Sequence, residues 1–170
     1  DDIPALEQAA ATVHIISPKG GKVKGWKHTE WGDTFTVDAT LADAQPDDYD
    51  ALLLPGGVMN PDTLRTIPEA VSFATRFFDD GKPIASICHG PWLLAETGKI
   101  SGYTLTSYPS IRTDLKNAGA NVVDREAVVD RGVVTSRNPD DLPAFNKAMI
   151  EEFAEGRHGG NGKRARTHSA

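Results

Sequence analysis

Residues 83–96 read PIASICHGPWLLAE, and their pattern changes at Cys88. The part before the cysteine is a short apolar run, which is typical of a strand covered on both faces. The part after Gly90 follows a helical pattern, so the chain turns sharply from strand to helix. This turn places the single cysteine of the 170 residues at a helix N-terminus, where free N–H groups and the helix dipole favour a thiolate. We therefore expect a nucleophilic sulfur, with a buried structural cysteine as the alternative.

Strand-like runs and helical patterns alternate along the rest of the chain. Strands are predicted at residues 12–16, 51–54, 84–87, 104–106, 122–123, 127–129 and 133–135, and a small hairpin at 22–26 and 34–37. Helix starts are predicted at residue 2, at a capping box from Thr66 to Glu69, at Ser110 and at Asn138. The longer strands are continuously apolar, as in a parallel sheet with helices on both faces. The pattern predicts a single α/β domain with a doubly wound sheet over residues 1–155.

Composition and charge disfavour several classes of protein. With 39% hydrophobic and 25% charged residues the chain is typical of globular proteins, and no apolar run approaches the roughly 20 residues of a membrane helix. Residues 1–155 carry 14 basic and 24 acidic residues, a net charge of −10 that disfavours nucleic acid as a partner. Residues 156–170 are basic and rich in glycine, so we expect a disordered tail. A lone cysteine suits a reducing compartment, which predicts a cytoplasmic protein.

Two loops are expected beyond the carboxyl ends of the parallel strands, where ligands bind in such sheets. One is the turn at Cys88, flanked by the small residues Ser86 and Gly90, as a tight nucleophile elbow requires. The other is Gly56-Gly57, for which plain turn chemistry is the alternative. The N–H of His89 and an N–H of the glycine loop could form an oxyanion hole. His89 could also serve as base or acid if its ring reaches the thiol.

The sequence predicts neither a metal nor a cofactor. His28 lies near Glu30 and Asp33 in a polar stretch, but histidines at the close, fixed spacing of a zinc site are absent from the sequence. A thiol and a histidine suffice for attack on a carbonyl carbon. We therefore expect chemistry that the side chains perform alone.

Several motifs along the chain resemble one family. They are residues 50–57, 60–62, 85–92, 106–109, 118–120 and 135–145. In this order, and up to about residue 155, they resemble the PfpI family of intracellular cysteine proteases, in the ThiJ/PfpI superfamily of class I glutamine amidotransferase-like proteins. The resemblance implies a flavodoxin-like three-layer sandwich with a mostly parallel central sheet and a nucleophile elbow at Cys88. It also implies that His89 acts beside the cysteine.

The resemblance implies roles for residues outside the elbow as well. Asp62 falls where the family carries an acidic residue that orients the histidine across a subunit interface, in dimers that can assemble into hexamers; a simple turn residue is the alternative. Tyr108 falls in a motif of the pocket, although a core or surface aromatic fits equally well. Members of the family begin with a strand, which is followed by an acidic residue whose carboxyl group hydrogen-bonds the catalytic cysteine. Aligned on residues 5–9, this sequence starts after both, so we expect the recorded chain to lack the first strand.

Three functions remain open at this point. The first is a stress-related cysteine hydrolase or lyase that attacks a carbonyl of a peptide or of a small aldehyde such as methylglyoxal, which covers peptidase, glyoxalase and deglycase activity. The second is a redox-responsive stress protein or chaperone that uses oxidation of Cys88. The third is a flavodoxin-like binding module with an inert cysteine.

Overall fold

A computed structural model describes residues 2–27 and 30–157 of the chain, with the side chains of residues 3–22 and 36–157. His28 and residues 158–170 lie outside the described residues, and so do the weak metal candidate at His28 and most of the tail that was expected to be disordered. The side chains of Glu30 and Asp33 lie outside them too.

Strands and helices alternate through the described part of the chain. In chain order the strands are β1 (Ile16–Ser17), β2 (Lys22–Lys27), β3 (Glu30–Thr36), β4 (Ala39–Thr40), β5 (Leu52–Leu54), β6 (Ile84–Ile87), β7 (Thr104–Leu105), β8 (Asn121–Val122), β9 (Val128–Asp130) and β10 (Val133–Ser136). The helices are α1 (Asp2–Gln8), α2 (Met59–Leu64), α3 (Pro68–Asp79), α4 (Pro91–Glu96), α5 (Arg112–Asn117) and α6 (Leu142–Glu155). Single 3-10 turns span Pro46–Asp48, Pro109–Ile111 and Pro139–Asp141.

The main sheet has the strand order β5-β6-β10-β9. β6 runs parallel to both of its neighbours, with Ser86 level with Leu54 on one side and with Thr135 on the other. β9 closes the sheet as an antiparallel strand. Because β5, β6 and β10 are parallel, the loops that follow them meet at one edge of the sheet. This edge carries the glycine loop, Cys88 and the segment after Ser136.

Smaller pairings complete the fold. β2 and β3 form the predicted hairpin, with a register shift between Lys24 and Trp26. β1 pairs in parallel with β4, and β7 with β8. The strand predicted at residues 12–16 was placed too early, because the N–H of Ile15 donates to a carboxylate oxygen of Asp38 at 2.7 Å and ladder pairing begins only at Ile16.

The core lies on both faces of the main sheet. Side chains alternate along β6, so Ile84 packs into one cluster while Ala85 and Ile87 pack into the other. The first cluster takes its large side chains from α3, α4 and α5, and the second from α1 and α6. Phe77 and Phe145 anchor the two clusters and are 1% and 0% exposed. The predicted α/β sandwich with helices on both faces is therefore confirmed.

Two of the predicted helix starts are wrong in detail. The hydroxyl of Thr66 donates back to the carbonyl of Thr63, so α3 begins after Ile67 without a side-chain cap. Ser110 lies inside a 3-10 turn, and α5 begins two residues later. Asn138 does cap its turn, because its side-chain oxygen accepts from the N–H of Asp140. Among the described residues, every helix is too short or too polar to cross a membrane.

Candidate active site

The chain makes a strained turn at Cys88, directly after β6. Its φ of 63° lies in the left-handed region, which costs a residue with a side chain about 1–3 kcal/mol. Both backbone groups of Cys88 are tied to neighbouring segments. Its N–H donates to the carbonyl of Ser136 at 3.1 Å, and its carbonyl accepts from the N–H of Tyr108 at 2.9 Å. The sheet edge therefore holds the cysteine in a conformation that a free loop would avoid.

Glycines give the turn the space it needs. A Cβ on Gly90 would lie 2.5 Å from Ser86 Oγ, and a Cβ on Gly56 would lie 3.1 Å from the Cβ of Cys88. Gly57 has a φ of 91°, which a residue with a side chain rarely adopts. The structure thus brings together the glycine loop and the elbow, as the sequence predicted.

The ring of His89 reaches the thiol despite being on the adjacent residue. Its Nδ1 lies 3.1 Å from Cys88 Sγ, and its Nε2 lies 3.2 Å from Ser110 Oγ. The residue is 5% exposed. Its ring stacks on Tyr108 at a centroid distance of 4.6 Å and meets Trp92 at 5.3 Å. Sulfur, hydroxyl and two aromatic rings therefore fix the imidazole in one orientation.

Burial favours the neutral forms of both the cysteine and the histidine. It raises the pKa of the Cys88 thiol, and the N–H groups of Gly57 and His89 that donate to the sulfur offset this only in part. It also lowers the pKa of His89. Burial of the sulfur thus acts against the expectation of a resting thiolate. The physical basis of that expectation is weak here, since α4 has only six residues and the sulfur is half-buried.

The donors named for an oxyanion hole both face the sulfur. They are the N–H of His89 and the N–H of Gly57, the second glycine of the loop. Fixed N–H groups beside a nucleophile are suited to an oxygen that gains negative charge as the nucleophile attacks. The geometry of the elbow is thus compatible with addition to a carbonyl.

Asp62 does not meet His89 within one chain. It lies exposed on α2, and the hydrogen-bond partners of the His89 ring among the described residues are Cys88 and Ser110. The exposed side chains of Val58 and Met59, 51% and 80% exposed, precede it. Asp62 therefore lies on the surface, close in sequence to two exposed apolar side chains, and not in the site of its own chain.

Three contact residues of the site escaped the sequence reasoning. Ser110 was assigned to a helix start, although its place two residues after Tyr108 could have pointed to the pocket. Trp92 looked like an ordinary helix residue, but its ring flanks His89 and its Nε1 donates to Asp114 at 2.8 Å. Ser136 acts through its backbone carbonyl, which leaves no signal in the sequence.

A polar cleft of about 350 Å³ lies beside Trp92, between the end of α2, α4 and α5. Arg65 places its guanidinium 5.2 Å from the Trp92 ring centre and donates to Glu96 at 2.7 Å.

Within the residues that the structure describes, no group of three or more His, Cys, Asp or Glu side chains could hold a metal ion.

The fold is a doubly wound sheet, and one of its strands, β6, turns into helix α4 at a cysteine that contacts an imidazole. These features define a flavodoxin-like protein with a cysteine elbow. A sequence model of the DJ-1/PfpI family matches residues 3–152. The chain belongs to the DJ-1/PfpI family, and the resemblance to PfpI proteins is confirmed.

Relatives of known sequence cover most of the chain. It is 44% identical over 148 residues to "Putative cysteine protease YraA" of Bacillus subtilis (strain 168), which spans 87% of this chain and 85% of that protein. It is also 44% identical over 151 residues to "Uncharacterized protein SH1084" of Staphylococcus haemolyticus, spanning 88% of this chain and 86% of that protein.

Solved structures show the same fold. The structure of Drosophila melanogaster DJ-1beta matches with a TM-score of 0.80 and 30% identity, over 90% of this chain and 81% of that one. A two-domain protein from Anabaena variabilis, with DJ-1/ThiJ/PfpI-like and ferritin-like domains, matches with a TM-score of 0.83 and 33% identity. That match covers 90% of this chain but 43% of the two-domain chain.

Proposed function

We propose that the protein is a cysteine-dependent hydrolase or lyase of the PfpI type, with Cys88 as nucleophile and His89 as base and acid. The observation that carries this proposal is the 3.1 Å contact between Cys88 Sγ and His89 Nδ1 at a strained elbow. A strained nucleophile in contact with a base is the arrangement that covalent catalysis requires. The N–H groups of Gly57 and His89 supply the donors for an oxyanion.

In the first step Cys88 Sγ adds to the carbonyl carbon of the substrate. The thiol proton passes to His89 Nδ1, the new S–C bond forms, and the π electrons move to the carbonyl oxygen. The two N–H groups then donate to this oxygen. Because burial favours the neutral thiol, proton transfer in this scheme accompanies attack. With an aldehyde substrate this step gives the anion of a hemithioacetal, which becomes the neutral hemithioacetal when the imidazolium of His89 returns its proton to the oxygen.

With a peptide substrate the intermediate collapses in a second step. The oxygen electrons re-form the carbonyl, the C–N bond breaks, and the imidazolium of His89 gives its proton to the leaving amine. Water then attacks the thioester and gives a proton to His89, the C–S bond breaks, the carboxylic acid product leaves, and the sulfur takes the proton from His89 to restore the thiol. Ser110 accepts the Nε2–H of His89 in this scheme, which leaves Nδ1 free to take the thiol proton.

The substrate class follows from the electrophile that the site can accept. Peptide carbonyls and small reactive aldehydes, including methylglyoxal, need the same nucleophile and the same oxyanion donors. The relative named as a cysteine protease supports the peptide, and glyoxalase or deglycase chemistry in a stress response is the proposal for the aldehydes. A lone, half-buried thiol fits a reducing compartment and supports a cytoplasmic location.

We further propose that the chain forms a homodimer, and from it a hexamer, in which Asp62 of one copy reaches His89 of another. The support is the exposed position of Asp62 beside Val58 and Met59, whose apolar side chains would be covered at such a contact. Light scattering on the intact protein and on Asp62→Asn tests this. A monomer at working concentration would contradict it.

A redox-responsive role of Cys88 is the second candidate. One observation favours it, because two N–H groups aimed at the sulfur would also stabilise a sulfinate. The raised pKa of the thiol opposes it, since the thiolate is the form that oxidants attack. If this role were correct, function would survive His89→Ala but not the loss of Cys88.

The experiment is iodoacetamide alkylation of Cys88 at neutral pH, in the unaltered protein and in His89→Ala, followed by turnover of methylglyoxal and of peptides. We expect the unaltered protein to react faster, and His89→Ala to lower turnover by about 10²–10⁴-fold, as removal of a general base does. Equal alkylation rates in both proteins would overturn the role of His89 as base, and no labelling of the native protein would overturn the assignment of Cys88 as nucleophile.

A further inference from the structure

One carboxylate joins two arginines that come from different parts of the fold. Asp124 lies between β8 and β9. Its Oδ1 accepts from Nη2 of Arg112 at 2.9 Å and from Nη1 of Arg137 at 3.0 Å. Both guanidiniums therefore converge on a single oxygen atom.

Each arginine lies next to a residue that holds the elbow. Arg112 comes two residues after Ser110, whose Oγ contacts Nε2 of His89 at 3.2 Å. Arg137 directly follows Ser136, whose carbonyl accepts the N–H of Cys88. Asp124 thus links the segment that contacts the histidine to the segment that contacts the cysteine.

The anchor at the Arg137 end is stronger than an ordinary surface ion pair. Arg137 Nε and Nη2 each donate at 2.9 Å to the two oxygens of Asp141, whose side chain is 5% exposed. The backbone N–H of Arg137 donates to the same carboxylate. An arginine fixed by a bidentate pair loses little further entropy when it binds a second carboxylate, so the link through Asp124 is less costly to form than an isolated exposed pair.

We propose that Asp124 is a positioning residue that, through Arg112 and Arg137, holds Ser110 against His89 and so keeps the imidazole aligned with Cys88. This inference rests on the proposed function, because it gives His89 the role of base. Without the Asp124 carboxylate, Arg112 loses its tie to Arg137 and the Ser110 hydroxyl leaves Nε2. A hydrogen bond to the charged imidazolium is stronger than one to neutral imidazole, so its loss weakens the base.

The effect is expected to be moderate and to act through Ser110. The difference between a charged and a neutral hydrogen bond corresponds to about a two- to fivefold slower reaction of the thiol at neutral pH. Within one chain, the titratable groups that touch the His89 ring among the described residues are Cys88 and Tyr108. Neither changes in these variants, and neither does Asp62, which the proposed dimer would bring to this ring from another copy. The charged groups nearest its Trp92 side, Arg65 and Asp114, also stay in place.

The experiment measures alkylation of Cys88 against pH in the intact protein, in Asp124→Ala, in Ser110→Ala and in the double variant. Asp79→Ala is the matched control, because Asp79 is the last residue of α3, forms an exposed ion pair with Lys99 at 3.0 Å and makes no contact with the elbow that the structure describes. We expect Asp124→Ala and Ser110→Ala to slow the reaction at neutral pH alike, the double variant to be no slower than Ser110→Ala, and the control to match the unaltered protein.

The outcomes separate this inference from the proposed function. If Cys88 of the unaltered protein does not react, the proposed function fails and the inference fails with it. If Cys88 reacts and Asp124→Ala leaves its pH profile unchanged, only the inference is overturned. An equal further loss on adding Asp124→Ala to Ser110→Ala would also overturn it, since Asp124 would then not act through Ser110.

Discussion

Gly90 is the position at which the elbow has the least room for a side chain. A Cβ there would lie 2.5 Å from Ser86 Oγ and 3.0 Å from the carbonyl oxygens of Ile87 and Leu54. Backbone conformation is no obstacle, because its φ of −49° and ψ of −40° are helical. Overpacking costs about 1–3 kcal/mol, and a Gly→Ala change at an allowed conformation returns about 0.4–1 kcal/mol. We therefore expect Gly90→Ala to lower the free energy of unfolding by about 1–2 kcal/mol.

The Ser86 hydroxyl offers a way to separate this steric effect from any other. Ser86 is fully buried, and its Oγ has no hydrogen-bond partner among the described residues. Ser86→Ala removes the closest contact of the new methyl group and breaks no hydrogen bond that the described side chains make. It should recover about half of the loss in Gly90→Ala, since the two carbonyl contacts at 3.0 Å remain.

Urea unfolding of the four proteins of this double-mutant cycle gives the coupling between the two positions. Gly20→Ala is the control, because its nearest neighbour would be Thr40 Cγ2 at an ordinary 3.7 Å, and we expect no loss of stability there. The reasoning is refuted if Gly90→Ala is as stable as the unaltered protein. It is also refuted if Gly90→Ala costs the same with and without the Ser86 hydroxyl.

Two further predictions concern Cys88 and His89. Ultraviolet absorbance should show the Cys88 thiolate forming with a midpoint above the ordinary ~8.5, because burial raises the pKa of the thiol. The value of kcat/KM should rise with pH through the lowered pKa of His89, because the base loses its proton there. A thiolate already present at neutral pH would contradict the first expectation. Tyr108→Leu should slow Cys88 alkylation by about two- to fivefold, because the stacked ring stabilises the imidazolium, and Tyr108→Phe should not; equal rates for the two variants would exclude a role for the ring.

Much of the fold could be predicted because its signals are local. The apolar run before Cys88 and the glycine after it mark the strand, the turn and the helix start within eight residues. The alternation at residues 22–26 and 34–37 likewise marked a hairpin that the structure contains. Such patterns depend on neighbours in sequence, which is the information that one chain provides.

Most of the remaining errors come from contacts between distant segments. Ser110 has the residue type of a helix cap, yet its hydroxyl contacts the distant His89. Thr66 is an exception, because its hydroxyl donates locally to the carbonyl of Thr63 and does not cap α3. The raised pKa of the Cys88 thiol could not be predicted from the sequence, because its main cause is burial and burial is a property of the folded chain. A role for Asp124 was not predicted, because only the folded chain brings Arg112 and Arg137 to one of its carboxylate oxygens.

The two backbone hydrogen bonds of Cys88 have a consequence for the local dynamics of the elbow. One leads to β10 and the other to the segment after β7, so the elbow cannot open without releasing part of the sheet. Relief of the left-handed conformation would favour opening, and these bonds oppose it. In hydrogen exchange the amide of Cys88 should therefore belong to the cooperative unit of the sheet and not to a fraying loop. The amide of Cys88 would then exchange only when the sheet itself opens.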